Sequence, residues 1–147
     1  MRLIDSVTGK RGGTLRVLIV EDSRDAVQTL QELLQSIGYE VAVASTGPEG
    51  LEAALQFRPN VVLCDIGLPG LDGYQMAIRL KQQPASGSTR LIAVTGYGGA
   101  EDRRRAQEAG FDHHLTKPVD LDELESLLAA EAALLQGGAP GDDDLMT

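Results

Sequence analysis

The sequence lacks several features that would define large classes of protein. Its 147 residues contain one cysteine, Cys64, so an internal disulfide is excluded. No apolar run approaches the ~20 residues that a membrane-spanning helix needs. The first 14 residues also lack the apolar stretch of a signal peptide. These absences argue against membrane insertion and favour the cytoplasm.

Positive charge is also scarce. Thirteen lysines and arginines stand against 22 aspartates and glutamates, which gives a formal net charge of −9. Binding to a phosphate backbone needs a basic surface, so this composition argues against nucleic acid as a direct partner. It leaves room for a cation ligand, because a concentrated acidic site would attract one.

The chain is predicted to consist of one folded domain between two polar ends. Apolar residues make up 42% of the sequence, which favours a folded chain, and the length favours a single core. Residues 1–14 hold several glycines beside Lys10 and Arg11, and they are predicted to be a flexible leader. Residues 137–147 are rich in glycine and contain Asp142–Asp144, and they are predicted to be a disordered acidic tail. The domain is expected over residues 15–136.

Strand-like and helix-like segments alternate through this domain. Strands are predicted over Arg16–Val20, Glu40–Ala44, Asn60–Cys64, Arg90–Thr95 and Asp112–Thr116. Helices are predicted from a cap at Ser23 to a stop at Gly38, and over Thr46–Phe57, Gly73–Gln82, Ala100–Ala109 and Asp120–Gln136. The inner face of the first helix is expected to carry Ala26, Leu30, Leu33, Leu34 and Ile37, and that of the last helix Leu121, Leu124, Leu127, Leu128 and Leu135. This alternation predicts an α/β fold, with a doubly wound, five-stranded parallel sheet and five helices.

Polar side chains occur where the predicted strands end. Glu21 and Asp22 follow the first strand, Asp65 the third, Thr95 ends the fourth and Lys117 follows the fifth. Ligands of such sheets bind beyond the carboxyl ends of the strands, so these residues are predicted to form a site. Clustered carboxylates favour a hard divalent cation, and Mg²⁺ fits better than Ca²⁺, which needs more protein oxygens. Zinc is disfavoured because it prefers histidine and cysteine ligands.

The same residues suit phosphate chemistry. Lys117 can pair with a carboxylate or with phosphoryl oxygens, and Thr95 can donate a hydrogen bond to one of those oxygens. Backbone N–H groups of Gly67 and Gly96 could contribute others, because glycine lets the backbone approach closely. The set suits in-line transfer of a phosphoryl group to a carboxylate.

This order of motifs resembles the receiver domain of two-component response regulators. The resemblance is carried by Glu21-Asp22, Asp65, Thr95 and Lys117-Pro118, by the loop Asp65–Gly73 and by the stretch Ala109–Asp112. It covers roughly Leu15–Leu135. It implies a flavodoxin-like fold with strand order 2-1-3-4-5, which would make the first and third strands neighbours and bring their acids together.

The resemblance also implies a role for each residue. Asp65 would be the phosphoacceptor, taking a phosphoryl group from a sensor histidine kinase or a histidine phosphotransfer protein. Asp22 would ligate Mg²⁺ directly, Glu21 mainly through water, and the backbone carbonyl of Gly67 would be a further ligand. Thr95 and Lys117 would contact the phosphoryl group. The bond between Lys117 and Pro118 would be cis, as it often is in such domains.

A phosphorylatable signalling module is therefore expected, one that switches its binding to a downstream protein. It would catalyse only its own phosphorylation and dephosphorylation, so a turnover enzyme is not predicted. The resemblance fits a stand-alone chemotaxis-type receiver or the receiver of a hybrid sensor kinase. The alternative is a pseudo-receiver that binds partners without phosphorylation, although the complete residue set argues against it. A dehalogenase-type phosphatase would need a second acid at position 67, where glycine occurs.

Two positions depart from the family pattern. His114 lies three residues before Lys117, where the family usually has tyrosine or phenylalanine that moves when the phosphoryl group is engaged. A histidine titrates near neutrality, so switching through Thr95 and His114 could be weaker, different or pH-sensitive. The competing interpretation is a partly exposed strand residue without a switching role. Gly67 replaces a larger side chain, and together with Tyr97 it is predicted to set the lifetime of the phosphoryl group.

Other conspicuous residues have simpler interpretations. Cys64 is predicted to be a buried core thiol instead of a redox sensor. His113 and His114 are adjacent on a strand and should point to opposite faces, which disfavours a shared metal site. The run Arg103–Arg105 and the acids of the last helix favour a solvated face. The alternative is a homodimer through the fourth helix, the fifth strand and the fifth helix.

Overall fold

The computed structural model describes residues 14–68, 70–96 and 99–135. Within them the strands are β1 (Arg16–Val20), β2 (Glu40–Ala44), β3 (Val61–Asp65), β4 (Arg90–Thr95) and β5 (His113–Thr116). The helices are α1 (Arg24–Ile37), α2 (Gly47–Phe57), α3 (Gly73–Lys81), α4 (Ala100–Ala109) and α5 (Leu121–Ala133), and a short 3-10 helix covers Pro84–Ser86. The predicted leader, apart from Thr14, and the predicted tail lie outside the described residues.

All four strand pairings are parallel, and the order across the sheet is β2-β1-β3-β4-β5. The fold class and the strand order expected from the family resemblance are therefore confirmed. In this order the chain reverses its winding direction between β1 and β3, and a crevice opens there at the carboxyl ends of the strands.

Two apolar layers cover the sheet, because successive residues of each buried strand point to opposite faces. Leu18 and Val20 of β1 pack against α2, α3 and α4, whereas Val17 and Ile19 pack against α1 and α5. Each large side chain buried in this way contributes roughly 1.5–3 kcal/mol relative to its exposed state. The central strand β3 is buried along its whole length, so the carboxylate of Asp65 emerges directly from the core.

Local signals define the helix ends. The side chain of Ser23 accepts a hydrogen bond from the N–H of Ala26 at the start of α1, and Asp72 and Gln75 form a reciprocal capping box at the start of α3. Gly38 and Gly110 end α1 and α4 with left-handed φ angles of 112° and 111°. These caps explain why the predicted helix boundaries agree with the structure to within a few residues.

Two residues predicted on inner helix faces are exposed instead. Ile37 is 43% exposed and Leu121 is 39% exposed. Ile37 is the last residue of α1, and Tyr39 packs against the core just beyond the turn. Leu121 is the first residue of α5, where the helix lies beside an open cavity at the edge of the sheet. Both predictions were wrong because helical periodicity does not report where a helix runs past the sheet it covers.

Two strands also begin one residue later than predicted. The side chain of Asn60 accepts a hydrogen bond from the N–H of Arg16, 2.8 Å away, and the side chain of Asp112 accepts one from the N–H of Leu91 at the same distance. The backbone N–H groups of Asn60 and Asp112 also donate to the carbonyls of Arg16 and Leu91, so each residue meets the neighbouring strand through both its side chain and its backbone just before its own strand begins. Of the helices in the described part of the chain, none combines the length and apolar character needed to cross a membrane.

Candidate functional site

The predicted site residues lie at one edge of the sheet. Glu21 and Asp22 follow β1, Asp65 ends β3, Thr95 ends β4 and Lys117 follows β5. The parallel register fixes this arrangement, because Val20 pairs with Cys64, Asp65 with Val94 and Thr95 with Thr116. The sequence prediction that these strand ends share one edge is therefore confirmed.

Three carboxylates form a cluster at this edge. One oxygen from each of Glu21, Asp22 and Asp65 lies within 4.8 Å of the others. Glu21 is 6% exposed and Asp65 is 7% exposed, whereas Asp22 is open to solvent. At such separations a pair of charged carboxylates repels by on the order of 3 kcal/mol at an effective dielectric constant of about 20. The donors are all hard oxygens and one side is accessible, so the cluster fits a hydrated Mg²⁺ ion.

The side chain of Glu21 is held by the start of α1. The backbone N–H of Ser23 donates a hydrogen bond to Oε2 of Glu21 at 2.9 Å, while the hydroxyl of Ser23 caps the helix. Burial raises the pKa of the Glu21 carboxyl, the Ser23 hydrogen bond lowers it, and the nearby charge of Asp65 raises it, with a net rise above the ordinary value. The sequence identified Ser23 as a cap but missed that it also orients a site acid.

Lys117 supplies the positive charge beside these acids. Its Nζ lies 3.1 Å from Oδ2 of Asp65 and 3.6 Å from Oε1 of Glu21. Partial burial lowers the pKa of Lys117, but the hydrogen bond and charge of Asp65 and the charge of Glu21 raise it more, so the net pKa lies above its ordinary value. The Lys117–Pro118 bond is cis, as the family resemblance implied, and the N–H of Lys117 donates to the carbonyl of Thr95.

The carboxylate of Asp65 has a separate donor for each oxygen. Oδ1 accepts a hydrogen bond from the N–H of Gly67 at 2.9 Å, and Oδ2 accepts one from Lys117. The following chain packs tightly, because a Cβ at Gly73 would lie 2.8 Å from both the carbonyl oxygen of Asp65 and Cα of Ile66. Glycine at position 73 thus lets α3 begin against the backbone of the site. In the sequence Gly73 marks only the start of a predicted helix, and nothing near it in sequence indicates this contact.

The loop positions differ in how much room they offer. A Cβ at Gly67 would meet only Oδ1 of Asp65, 3.6 Å away, and one at Gly96 would meet nothing within 4 Å. The site is therefore open beside Asp65, as predicted for a glycine at position 67. Tyr97, the other position proposed to control phosphoryl lifetime, lies outside the described residues. The role of the Gly67 carbonyl as a metal ligand stays a prediction.

Thr95 is buried as the last residue of β4, at the same edge as Asp65 and Lys117. Its carbonyl oxygen accepts the hydrogen bond from the N–H of Lys117, 2.7 Å away, which ties β4 to the residue that follows β5. This places the threonine among the site residues. The contact of its hydroxyl with a phosphoryl group stays a prediction.

His114 and His113 project from opposite faces of β5, as predicted. His113 lies on the α5 side, where its Nε2 is 3.5 Å from Oε2 of Glu131. On the other face both ring nitrogens of His114 are buried, and neither has a hydrogen-bond partner among the described residues. Burial lowers the pKa of His114 and the charge of Arg103 lowers it further, whereas Asp102 opposes this in part. A switching role for His114 stays a prediction.

Two arginines of the run Arg103–Arg105 contact residues of α4 itself or of the adjacent α3. Arg104 pairs with Glu101 and Glu108, one helical turn away in either direction, at 2.5 and 2.6 Å. Arg105 stacks over the ring of Tyr74 at 4.2 Å. These contacts fit the solvated face that the sequence favoured. The homodimer through α4, β5 and α5 stays a prediction.

Cys64, one residue before the site, is buried in the core between the helices and the sheet. Burial raises the pKa of its thiol strongly, and the charges of Asp65 and Asp72 raise it further. Such a thiol carries little thiolate at neutral pH, which fits the predicted structural role.

An apolar cavity of about 510 Å³ adjoins the acidic cluster between α1 and α5. Ala26 and Leu30 of α1 and Val119 and Leu121 near the start of α5 form much of its wall, and Lys117 lies at the boundary with the acids. The charged residues of the site are thus bordered on one side by a cavity with apolar walls.

The fold and the site together define the class of protein. A doubly wound sheet with order 2-1-3-4-5, three acids at its switch point and a lysine after the fifth strand is the arrangement of a signalling receiver. The sequence model of a protein family, the response regulator receiver domain, matches residues 17–129 of this chain. The chain therefore belongs to the family of response regulator receiver domains, the receivers of two-component systems.

Individual proteins of known sequence or structure agree with this assignment. Protein PilH of Pseudomonas aeruginosa is 36% identical over 122 residues, which are 83% of this chain and 98% of PilH. A putative response regulator from Chloroflexus aurantiacus has a TM-score of 0.76 and 31% identity, covering 82% of this chain and 98% of that one. The receiver domain of the sensor histidine kinase PA1611 from P. aeruginosa, solved with a coordinated magnesium ion, has a TM-score of 0.75, 28% identity and the same coverage. The chain spans nearly all of some curated relatives and 23% of others.

Proposed function

We propose that this chain is a phosphoacceptor module in which Asp65 receives a phosphoryl group from a histidine of a sensor kinase or of a histidine phosphotransfer protein. One observation carries the proposal. The carboxylate of Asp65 is oriented by the N–H of Gly67 and by Lys117, and it lies against two further acids that fit a divalent cation.

Glu21, Asp22, Asp65 and the carbonyl of Gly67 would hold Mg²⁺. The bound cation would neutralise the acid cluster and part of the charge on the transferred group. PA1611, whose receiver was solved with magnesium in its active-site cleft, supports this assignment by analogy. The donor chemistry of the cluster supports it independently.

In the transfer, a carboxylate oxygen of Asp65 attacks the phosphorus in line with the phosphohistidine nitrogen. The P–N bond breaks as the new O–P bond of the acyl phosphate forms, and the imidazole leaves. Lys117, which neutralises Asp65 before transfer, would then pair with a phosphoryl oxygen, and Thr95 would donate a hydrogen bond to another. Thr95 ends β4 and Lys117 follows β5, so a shift of these two side chains on phosphorylation would change the surface around β4 and β5.

The chemistry is self-modification without turnover of a free substrate. Water that reaches the acyl phosphate past the open position at Gly67 would return the domain to its starting state. A downstream protein would bind one of the two states preferentially. We place the protein in the cytoplasm, where its phosphoryl donor would be. A pseudo-receiver is not favoured, because the acids, the threonine and the lysine are all present.

Incubation with acetyl phosphate and Mg²⁺, followed by intact-mass measurement, tests the proposal. The wild type should gain the mass of one phosphoryl group, and Asp65→Asn should gain none. Asp122→Asn, which removes an exposed acid of α5 away from the cluster, is the matched control and should label like the wild type. A wild type that stays unlabelled, or an Asp65→Asn variant that labels fully, would refute the assignment.

A further inference from the structure

A second cavity lies at the opposite end of the sheet from Asp65. It encloses about 370 Å³ below the amino ends of β3 and β4, beside Asn60, which precedes β3, and Arg90, which begins β4. The carboxyl ends of α2 and α5 form its sides, although these helices cover different faces of the sheet. Its volume falls in the usual range for binding clefts, roughly 300–1,000 Å³. The proposed phosphotransfer gives this base cavity no role.

One of the two arginines of the base cavity is already paired. The Nε of Arg90 lies 3.2 Å from Oε2 of Glu131, and its Nη1 lies 3.7 Å from Oδ1 of Asp112. His113 approaches the same Glu131 carboxylate. The guanidinium of Arg90 is thus already engaged by two carboxylates of its own domain, which leaves Arg58 as the arginine of this cavity that could pair with a ligand.

Arg58 is the other arginine. It ends α2 in a left-handed conformation, with φ at 53°, and its backbone N–H donates to the carbonyl of Ala54. Its side chain is exposed at the cavity and makes no hydrogen bond or ion pair with any residue in the described ranges. A non-glycine residue rarely adopts this conformation, which here keeps an unpaired guanidinium at the cavity.

Apolar side chains surround this cation. Leu55 is exposed on α2, and Leu134, at 58% exposed, follows α5 on the other side of the cavity. An arginine between two exposed leucines complements a short peptide that carries acids next to large apolar residues. Such a peptide would satisfy the guanidinium and cover both leucines at once.

The chain itself supplies such a peptide. Leu135, the last described residue, lines the base cavity. The sequence continues through a stretch rich in glycine to Asp142, Asp143, Asp144, Leu145 and Met146. Seven residue steps separate Leu135 from Asp142, a reach of up to about 25 Å when extended. A tether of this length keeps the peptide at an effective concentration in the millimolar range, so even a weak site would be occupied.

We propose that the base cavity binds the segment Asp142–Met146 of the same chain. The aspartates pair with Arg58, and Leu145 and Met146 cover Leu55 and Leu134. The interaction is intramolecular and lies at the end of the domain opposite the phosphorylation site, so it does not depend on the proposed phosphotransfer.

A spin label on Thr147→Cys tests this contact by paramagnetic broadening of backbone amide signals in the full chain. Amides around the base cavity, including those of Leu55, Arg58 and Ser88, should lose intensity, whereas those near Asp65 should keep it. The unsubstituted chain treated with the same reagent shows whether Cys64 takes up label. Salt at 1 M, where the screening length is only about 3 Å, should restore much of the lost intensity.

Two variants in the labelled background decide the assignment. Arg58→Glu should restore the signals, whereas Arg79→Glu, the same charge reversal on the exposed surface of α3, should leave the broadening in place. Replacement of all three aspartates by asparagine should act like Arg58→Glu. Broadening spread over the whole surface, or unchanged by Arg58→Glu, would overturn the proposal. Broadening that disappears on dilution would do so too, because it would show that a second copy supplies the segment.

Discussion

Oε2 of Glu131 lies 3.2 Å from Nε of Arg90, and this ion pair joins α5 to the first residue of β4. The two partners are unequal in burial. Glu131 is 8% exposed, whereas the side chain of Arg90 is about half open to solvent and has Asp112 as a second partner. Loss of Arg90 therefore leaves a buried carboxylate without its cation, whereas loss of Glu131 leaves a half-exposed guanidinium.

We expect Arg90→Met to destabilise the fold more than Glu131→Gln. The first change leaves a buried carboxylate without its main cation, at a cost of about 2–4 kcal/mol. The second leaves a half-exposed guanidinium that still has Asp112 nearby, at a cost of about 1 kcal/mol. Urea unfolding at neutral pH measures both. Glu101→Gln, which removes an exposed partner of Arg104, is the control and should change the free energy of unfolding by less than about 1 kcal/mol. Equal losses for the first two variants would contradict the argument.

Removal of one acid from the crowded cluster should stabilise the metal-free domain. Asp22→Asn relieves repulsion with Glu21 and Asp65 and should raise the free energy of unfolding in EDTA by about 1 kcal/mol. The wild type should gain stability on addition of Mg²⁺, by about 2.7 kcal/mol at a hundredfold excess over Kd, and the variant should lose most of that gain.

Asp25→Asn is the control for this prediction. Asp25 lies in the first turn of α1, where a negative charge favours the helix, so its loss should be slightly destabilising in EDTA and should leave the Mg²⁺ response intact. An Asp22→Asn variant that responds to Mg²⁺ like the wild type would show that the cluster is not the cation site.

The buried ring nitrogens of His114 should make stability depend on pH. Its pKa is lowered in the folded state by burial and by Arg103, so below pH ~6.5 the unfolded chain binds more protons than the folded one. The contribution of His114 is complete above that pH and is lost as the pH falls through the lowered folded value. His114→Phe should remove this dependence, a slope of at most about 1.4 kcal/mol per pH unit.

Thermal or urea unfolding of wild type and His114→Phe between pH 5 and 7.5 measures the difference between the two slopes. Acids elsewhere, and the pairing of His113 with Glu131, are common to both proteins and cancel in the comparison. Parallel curves would contradict the prediction, because they would show that His114 binds a proton equally well in the folded and unfolded states.

A side chain at position 67 should lengthen the life of the phosphorylated state. The open space beside Oδ1 of Asp65 accepts a Cβ without a clash, so Gly67→Asn should fold and should hinder water at the acyl phosphate. Dephosphorylation should slow several-fold when it is followed after removal of acetyl phosphate. Gly87→Asn, at another exposed glycine with room for a Cβ, is the control and should keep the wild-type rate. An unchanged rate in Gly67→Asn would count against the hypothesis.

Gly73→Ala should damage the site through the backbone. The added Cβ would lie 2.8 Å from the carbonyl oxygen of Asp65 and from Cα of Ile66, neither of which can move alone. We expect a loss of about 1–3 kcal/mol in stability, together with slower labelling by acetyl phosphate. Gly87→Ala, whose Cβ would lie an ordinary 3.6 Å from the nearest atom, should be neutral or slightly stabilising.

The sequence was sufficient for features that depend on local chemistry. Alternating patterns defined the strands and helices, and Ser23 and Gly38 marked the ends of the first helix because capping involves residues only a few positions apart. The strand-end acids could be grouped without knowledge of their contacts, because parallel strands bring their carboxyl ends to one edge of the sheet. The strand order itself came from the family resemblance.

Features that depend on contacts distant in sequence were not predictable. The pair of Arg90 and Glu131 spans 41 positions, and nothing in either local pattern marks it. The same holds for the backbone contact of Gly73 and for the side-chain acceptors Asn60 and Asp112, which depend on how neighbouring strands are registered. Ile37 and Leu121 follow a helical pattern correctly but extend past the sheet that would have buried them.

The positions of Thr14 and Leu135 have a practical consequence for this domain. Thr14 leads into the amino end of β1 and Leu135 lines the base cavity, so the described domain is entered and left at the end opposite Asp65. A fluorescent protein or an affinity tag joined at either side would lie away from the edge of the sheet that carries Asp65. The same geometry would let such a domain be spliced into longer polypeptides without covering the acidic cluster around Asp65.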